Sequence, residues 1–234
     1  QGKLQGDFIG GIVPHAGWHF SGSIAARVIA SLQPLGANAI DVDTVDKIDT
    51  ILLFGAHMHR QSEPFIMTEG LIETPFGEIE VDGELVEKIA AGVGIRRRSP
   101  EKFPAENTLE LQYPFIKYFF PRAKIVVAGV PPSSFAAIIG AMAVAEANNL
   151  GRCIRIIGST DMTHYGPDFG FTPAGLGEKA VQWVATQNDQ QALAAMKQMD
   201  TDKMIAQALD HKNMCCAGAA AAAVAACKKK GAVK

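Results

Sequence analysis

Four short runs along the chain carry almost no charge: Phe8 to Val13, Thr50 to Phe54, Ile125 to Val130 and Cys153 to Gly158. They are rich in Ile, Val, Leu or Phe and do not alternate with polar residues, so they read as strands covered on both faces. Between them lie longer stretches with helical spacing: Ser23 to Gln33, Glu84 to Ala91, Leu109 to Phe119, and Ser133 to Asn149, the last opening at serines that can cap free amides. Strand and helix in alternation predict an α/β fold, a central and mostly buried sheet flanked by helices. Residues 64 to 82 break this rhythm, alternating around Gly70 and Gly77, and predict a hairpin insertion or an edge pair. Gly92 and Gly94 follow a helix and read as its stop. Arg96 to Arg98, just beyond, read as solvated surface. After Gly166 the pattern is mainly helical, with Gly177 to Asn188, Asp189 to Gln198, Thr201 to Asp210 and Cys215 to Ala226. The last of these contains the alanine run Ala219 to Ala223, which predicts a buried helix, because alanine is the best helix former and lets helices approach closely. No repeat or linker interrupts residues 1–234, which read as one domain.

Size and charge narrow the function classes. With 234 residues, 48% hydrophobic, 20% charged and a net charge of -2, the chain can bury a sizeable core and has no basic bias toward nucleic acid. The longest apolar run, Met214 to Cys227, falls short of the roughly 20 residues of a membrane span. No secretory leader follows Gln1, so a cytoplasmic protein without a membrane partner is expected. No GxxxxGK or GxGxxG occurs, which argues against nucleotide binding. Cys153, Cys215, Cys216 and Cys227 form no CxxC pair, so neither a disulfide framework nor a zinc knuckle is expected and the thiols read as reduced.

The polar residues that remain fall where such folds place their ligands, beyond the carboxyl ends of strands. His15 follows the first run, His57 and His59 follow ILLFG, and Asp161 and His164 follow IRIIGS within STDMTHYG. Five of the six histidines lie in these three segments, and His19, the fifth, reads as structural. Cys215 and Cys216 open the last helix, whose N-terminus favours thiolate over thiol. Each motif alone is accounted for by an ordinary loop cap or a small apolar residue. Together, two imidazoles and one thiolate or carboxylate can hold a divalent transition metal and leave positions open. At most one of His57 and His59 need be a ligand.

Several motifs resemble one family. PHAGWHFSG is similar to the PHAGY-x-Y-x-G opening of the Memo family, TPFGEIEVD to its TP-x-G-x-x-x-x-D segment, and AENTLELQYPF to its EHS-x-E-x-x-x-PF segment. GSTDMTHYG and HKNMCCAGAA resemble its S-S-D-x-x-H-x-G segment and the stretch around its metal-binding cysteine. The resemblance runs in order from residue 12 to about residue 220. It implies a fold like that of the class III extradiol dioxygenases, with metal ligands His15, Cys215 and one of His57 and His59, His57 being preferred because FGAH is similar to the strand-ending SAH of those enzymes. It also implies Asp161 and His164 as catalytic residues. Asn107 stands where the family has histidine, with Glu106 retained before it, and Cys216 stands where glycine is usual. The family continues past the cysteine helix into a final strand, whereas this sequence runs into KKKGAVK, so the resemblance implies that a C-terminal strand is missing; Lys228 to Lys230 read as a solvated helix end.

The expected chemistry is that of a mononuclear His/His/Cys site. Fe(II) is the expected ion, with His164 as acid or base oriented by Asp161, as in a non-haem dioxygenase or oxidoreductase. Thiolate in place of the dioxygenases' carboxylate makes the site softer, so Cu(I) or Zn also fits. The alternatives are a metal-dependent hydrolase in which Glu106 or His164 takes a proton from water, a non-catalytic binder of a peptide or metabolite, and a copper- or iron-handling protein. The expected ligand in the crevice is a small molecule or a peptide.

Overall fold

In a computed structural model, which describes residues 6–34 and 47–233, the four apolar runs form neighbouring parallel strands of one sheet. These are β1 (Gly10–Val13), β2 (Thr50–Gly55), β7 (Lys124–Gly129) and β8 (Ile154–Ser159), in the spatial order β1-β8-β2-β7. Every residue of β2 is buried, as its unbroken apolar run predicts. Residues 1–5, which bear on the reading of a leader, lie outside the described residues.

The stretch from 64 to 82 divides between two sheets. β3 (Phe65–Met67) joins the main sheet antiparallel to β7, while β4 (Leu71–Ile72) and β5 (Ile79–Glu80) form a separate antiparallel pair. β6 (Arg96–Arg98) then pairs parallel to β3 and becomes the sixth strand of the main sheet, at its edge. Arg96 and Arg97 are exposed, as expected, and the three arginines also form an edge strand. Arg96 pairs with Glu63 and Arg97 with Glu87, each at 3.0 Å, and the Arg98 guanidinium lies 4.8 Å over the Phe65 ring. Charge on an edge strand discourages pairing with another chain.

The helices are α1 (Trp18–Ser31), α2 (Gly83–Val93), α3 (Asn107–Glu110), α4 (Tyr113–Phe119), α5 (Phe135–Asn149), α6 (Glu178–Trp183), α7 (Asp189–Lys197), α8 (Thr201–His211) and α9 (Ala217–Lys229). The single helix expected over 109–119 is two, because Pro114 lacks an amide to continue the first and instead occupies the first turn of α4. Gly92 lies inside α2 rather than at its stop. Gly94, with φ 65°, is the left-handed cap. Between α6 and α7 the chain makes a π-turn over Val184–Asn188.

Adjacent glycines of β1 show how the layers stack. A Cβ on Gly10 would meet Cys227 of α9, and one on Gly11 would meet Val28 of α1, so these two helices cover opposite faces of the strand. On its other side α9 packs against Ala192, Ala195, Met204 and Ala208 of α7 and α8. Buried all round, it has no polar face to present, and residues Ala217 through Ala226 are all buried. Closeness is the reason for the small side chains. A Cβ on Gly140 of α5 would sit 2.0 Å from the Ala222 carbonyl oxygen, so only glycine allows the two helices to meet there. No helix among the described residues is long and apolar enough to cross a membrane.

Candidate metal centre

Because β8 lies between β1 and β2, the loops leaving their carboxyl ends are neighbours. His15 comes two residues after β1, His57 two after β2 and Asp161 two after β8, and Cys215 enters from the turn before α9. One ligand atom from each of His15, His57, Cys215 and Cys216 lies within 4.8 Å of all the others. The sulfur of Cys215 is 3.2 Å from His15 Nε2 and 3.6 Å from the Cys216 sulfur, and the two imidazole rings meet edge to face at 5.1 Å.

Each ring is held from behind. His15 Nδ1 is 2.9 Å from Ser159 Oγ, and the His15 amide donates to Asp161 Oδ1 at 2.7 Å. Gln112 donates to the Pro14 carbonyl and Asn107 to that of His15, fixing the loop from the other side. His57 is re-aimed by Ala56, whose φ of 76° is rare for a residue with a Cβ. The Thr108 hydroxyl accepts the Ala56 amide at 2.7 Å and keeps the turn in place. Glu106 then takes both donors of His57, the amide at Oε2 (3.1 Å) and Nδ1 at Oε1 (3.0 Å). Such a carboxylate fixes the tautomer, leaving Nε2 free to face Cys215. In this geometry Glu106 positions His57.

The electrostatics favour a charged sulfur. A hydrogen bond from Cys216 holds the Cys215 thiol well below its ordinary value, against the effect of burial, with His15 and His57 adding to it. Cys216, in turn, is pushed up by the negative sulfur beside it and by burial. His57 is raised to about 9, first by its hydrogen bond to Cys215, against burial, and then by Glu106. The Asp161 amide also donates to the Cys215 sulfur at 3.2 Å. A thiolate set among imidazoles is a donor combination that suits a transition metal.

Not every predicted residue joins the cluster. His59 is exposed and lies outside it, so of the HxH pair the ring facing Cys215 is that of His57. His164 is 3.8 Å from Asp161 Oδ2, an ion-pair distance too long for a hydrogen bond, and its ring lies tilted against Phe169, centroids 4.9 Å apart. The shorter bond of Asp161 is to the His15 backbone. His19 is an exposed residue of α1 beside Phe20. The supporting residues Ser159, Thr160 and Thr108 carry no signal in the sequence beyond their closeness to Asp161 and Glu106. Thr160 accepts the Cys216 amide at 3.0 Å and so fixes the start of α9. The π-turn has a place here too: it brings Asn188 and Asp189 onto Thr163, bracing the loop that carries His164. All four cysteines are free, and Lys228 and Lys230 end α9 at the surface, bonded to Met199 O and Asn148 Oδ1.

The chain is similar in sequence to known proteins. A family model described as Memo-like protein matches residues 5–234. A MEMO1 family protein of Pyrobaculum arsenaticum is 32% identical over 168 residues, covering 70% of this chain and 56% of the relative. Those of Thermococcus onnurineus and Methanothermobacter thermautotrophicus are each 32% identical, over 170 and 160 residues, covering 70% and 68% of this chain and 55% and 54% of theirs. The chain thus spans about half the length of the curated relatives it matches. With the match extending over every strand end that contributes to the cluster, this chain belongs to the Memo family.

Proposed function

We propose that the chain holds a single transition-metal ion between His15, His57 and Cys215, and acts on a small molecule in the adjoining cleft as a non-haem, dioxygenase-type oxidoreductase. Fe(II) is the expected ion, and Cu or Zn fits the same donors. The observation that carries this reading is convergence: three ligand atoms from three distant segments meet within 4.8 Å while the far nitrogens of both rings are engaged elsewhere. A bound ion of this kind supplies Lewis-acid and redox chemistry at its open positions. The chain's own residues hold that arrangement. Ser159 and Glu106 orient the rings, Asp161 fixes the His15 backbone, and His164 stands at the cleft where it can take or give a proton.

Metal content tests this directly. Protein purified without oxygen is expected to carry close to one ion per chain, lost in His15→Ala, His57→Ala and Cys215→Ala and kept in His59→Ala. Equal metal content in all five proteins contradicts the reading. Turnover that continues without oxygen moves the assignment to a hydrolase.

Cys216 favours a second reading. A second sulfur 3.6 Å from the first would complete a four-donor set, soft and closed, of the kind that suits Cu(I) or Zn in a handling protein. Cys216→Ala separates the two: it weakens Cu(I) binding by more than about 100-fold if both sulfurs are ligands, and leaves Fe(II) binding within a few-fold if Cys216 only donates to Cys215.

A further inference from the structure

Resting on the metal-site reading, we propose that the cleft beside Cys215 binds a small organic anion with a flat apolar body, its negative group paired with Lys212. The cleft has a volume of about 260 Å³ and is lined by Met162, His164, Phe169, Phe171 and Lys212, with Cys215 at its inner end. That volume lies just below the usual range for small-molecule sites, about 300 to 1,000 Å³. It suits a molecule of one ring and is too small for a folded peptide segment.

The walls select the body of the ligand. Phe169 and Phe171 contribute aromatic rings to the lining and Met162 a polarizable thioether, groups that favour an aromatic partner through ring and sulfur contacts. Lys212 selects its charge. Its ammonium lies 5.3 Å over the Phe171 ring and has no carboxylate partner among the described residues. Asp161, an acidic group close by, is turned toward the His15 amide and His164. Lys212 also occupies the left-handed cap of α8, with φ 51°, a position where glycine or asparagine is usual. Capping the helix does not call for a lysine there. An anion between the cation and the inner cysteine gives that side chain a partner and points the rest of the molecule toward the cluster.

Benzoate is the probe, with benzamide as its uncharged counterpart, and binding is followed by calorimetry and by ligand-observed NMR on protein as purified. Benzoate is expected to bind the wild-type protein and to weaken about tenfold in Lys212→Gln, as loss of a hydrogen bond to a charged group implies. Lys212→Arg should restore binding, Phe171→Ala should weaken it, and added salt should weaken benzoate but not benzamide. Metal content of Lys212→Gln should equal that of wild type. Equal benzoate affinity in wild type and Lys212→Gln, or no binding to wild-type protein that is folded and carries metal, overturns the inference and leaves the metal reading intact. Lysine-dependent benzoate binding by a protein that takes up no metal has the opposite meaning: the anion site stands and the metal reading fails.

Discussion

The two ends of the central sheet carry polar clusters of opposite character. At the amino ends of β2 and β8, Asp82 is buried and fully engaged: its carboxylate accepts from the Thr50 hydroxyl, the Leu85 amide, and Nε and Nη2 of Arg152. At the carboxyl end of the sheet, His15 after β1, His57 after β2 and Cys215 before α9 bring their ligand atoms within 4.8 Å of one another. The first cluster satisfies all its members and can only add to or subtract from stability. The second has the donor set that the proposed metal ion would use. Sulfur and imidazole donors that converge at the carboxyl end of a parallel sheet mark the proposed metal site, and a saturated network at the opposite end marks a structural joint.

The largest expected effect lies at the structural end. Asp82→Ala leaves Arg152 and Thr50 without their acceptor and should destabilise the fold by about 3 to 5 kcal/mol in urea unfolding, while any protein that remains folded keeps its metal. At the other end the pattern inverts. His15→Ala and Cys215→Ala should alter the stability of metal-free protein much less, yet each should remove the stabilisation that metal gives wild type, about 2.7 kcal/mol at a free concentration 100 times Kd. An Asp82→Ala protein as stable as wild type would dissolve the contrast.

Glu106→Gln comes next. It keeps the shape of the side chain but loses the charge that holds His57 Nδ1, and should weaken metal binding by about 10 to 100-fold, measured by competition with a chelator. Unchanged affinity would mean that Glu106 serves another purpose, such as taking a proton in the cleft.

The smallest effect is in the pH dependence of metal-free protein, where the two ends should respond at opposite extremes. Asp82 is held below the ordinary carboxylate value by Arg152, Leu85 and Thr50, against the opposing effect of burial. Its stabilisation is present above the unfolded value and is lost as pH falls through the folded one. His57 is raised to about 9, chiefly by Cys215, so its stabilisation is complete below its unfolded value and is lost as pH rises through about 9. Asp82→Asn should flatten the acid limb and leave the alkaline limb unchanged, whereas His57→Gln should change the alkaline limb, where the lowered Cys215 thiol acts in the opposite sense. The reverse assignment would show that these groups are not the ones titrating.

What the sequence reveals follows the strength of its local signals. β2, β7 and β8 are legible because unbroken apolar runs leave no alternative to burial, and α9 is legible because an alanine run favours helix and offers no polar face to solvent. β6 is not. Three arginines have no strand-like pattern, and only the open edge of β3 gives them one. Pro114 signals the break between α3 and α4, but the apolar spacing on either side runs through it. In the site, strand and helix boundaries place His15 and the Cys215–Cys216 pair, and the family resemblance singles out Cys215. The choice between His57 and His59 rests on the left-handed turn at Ala56, which a tertiary contact to Thr108 holds and no local pattern announces. The place of Cys216 is likewise set by the Thr160 hydroxyl, 56 positions away in sequence.

X-ray absorption at the metal edge of loaded protein tests the central claim most directly. The account predicts a shell of nitrogen at about 2.0 to 2.1 Å together with sulfur near 2.3 Å for a zinc-loaded sample, the sulfur component vanishing when Cys215 and Cys216 are both replaced by alanine. A shell of light atoms alone in the wild-type protein would contradict it.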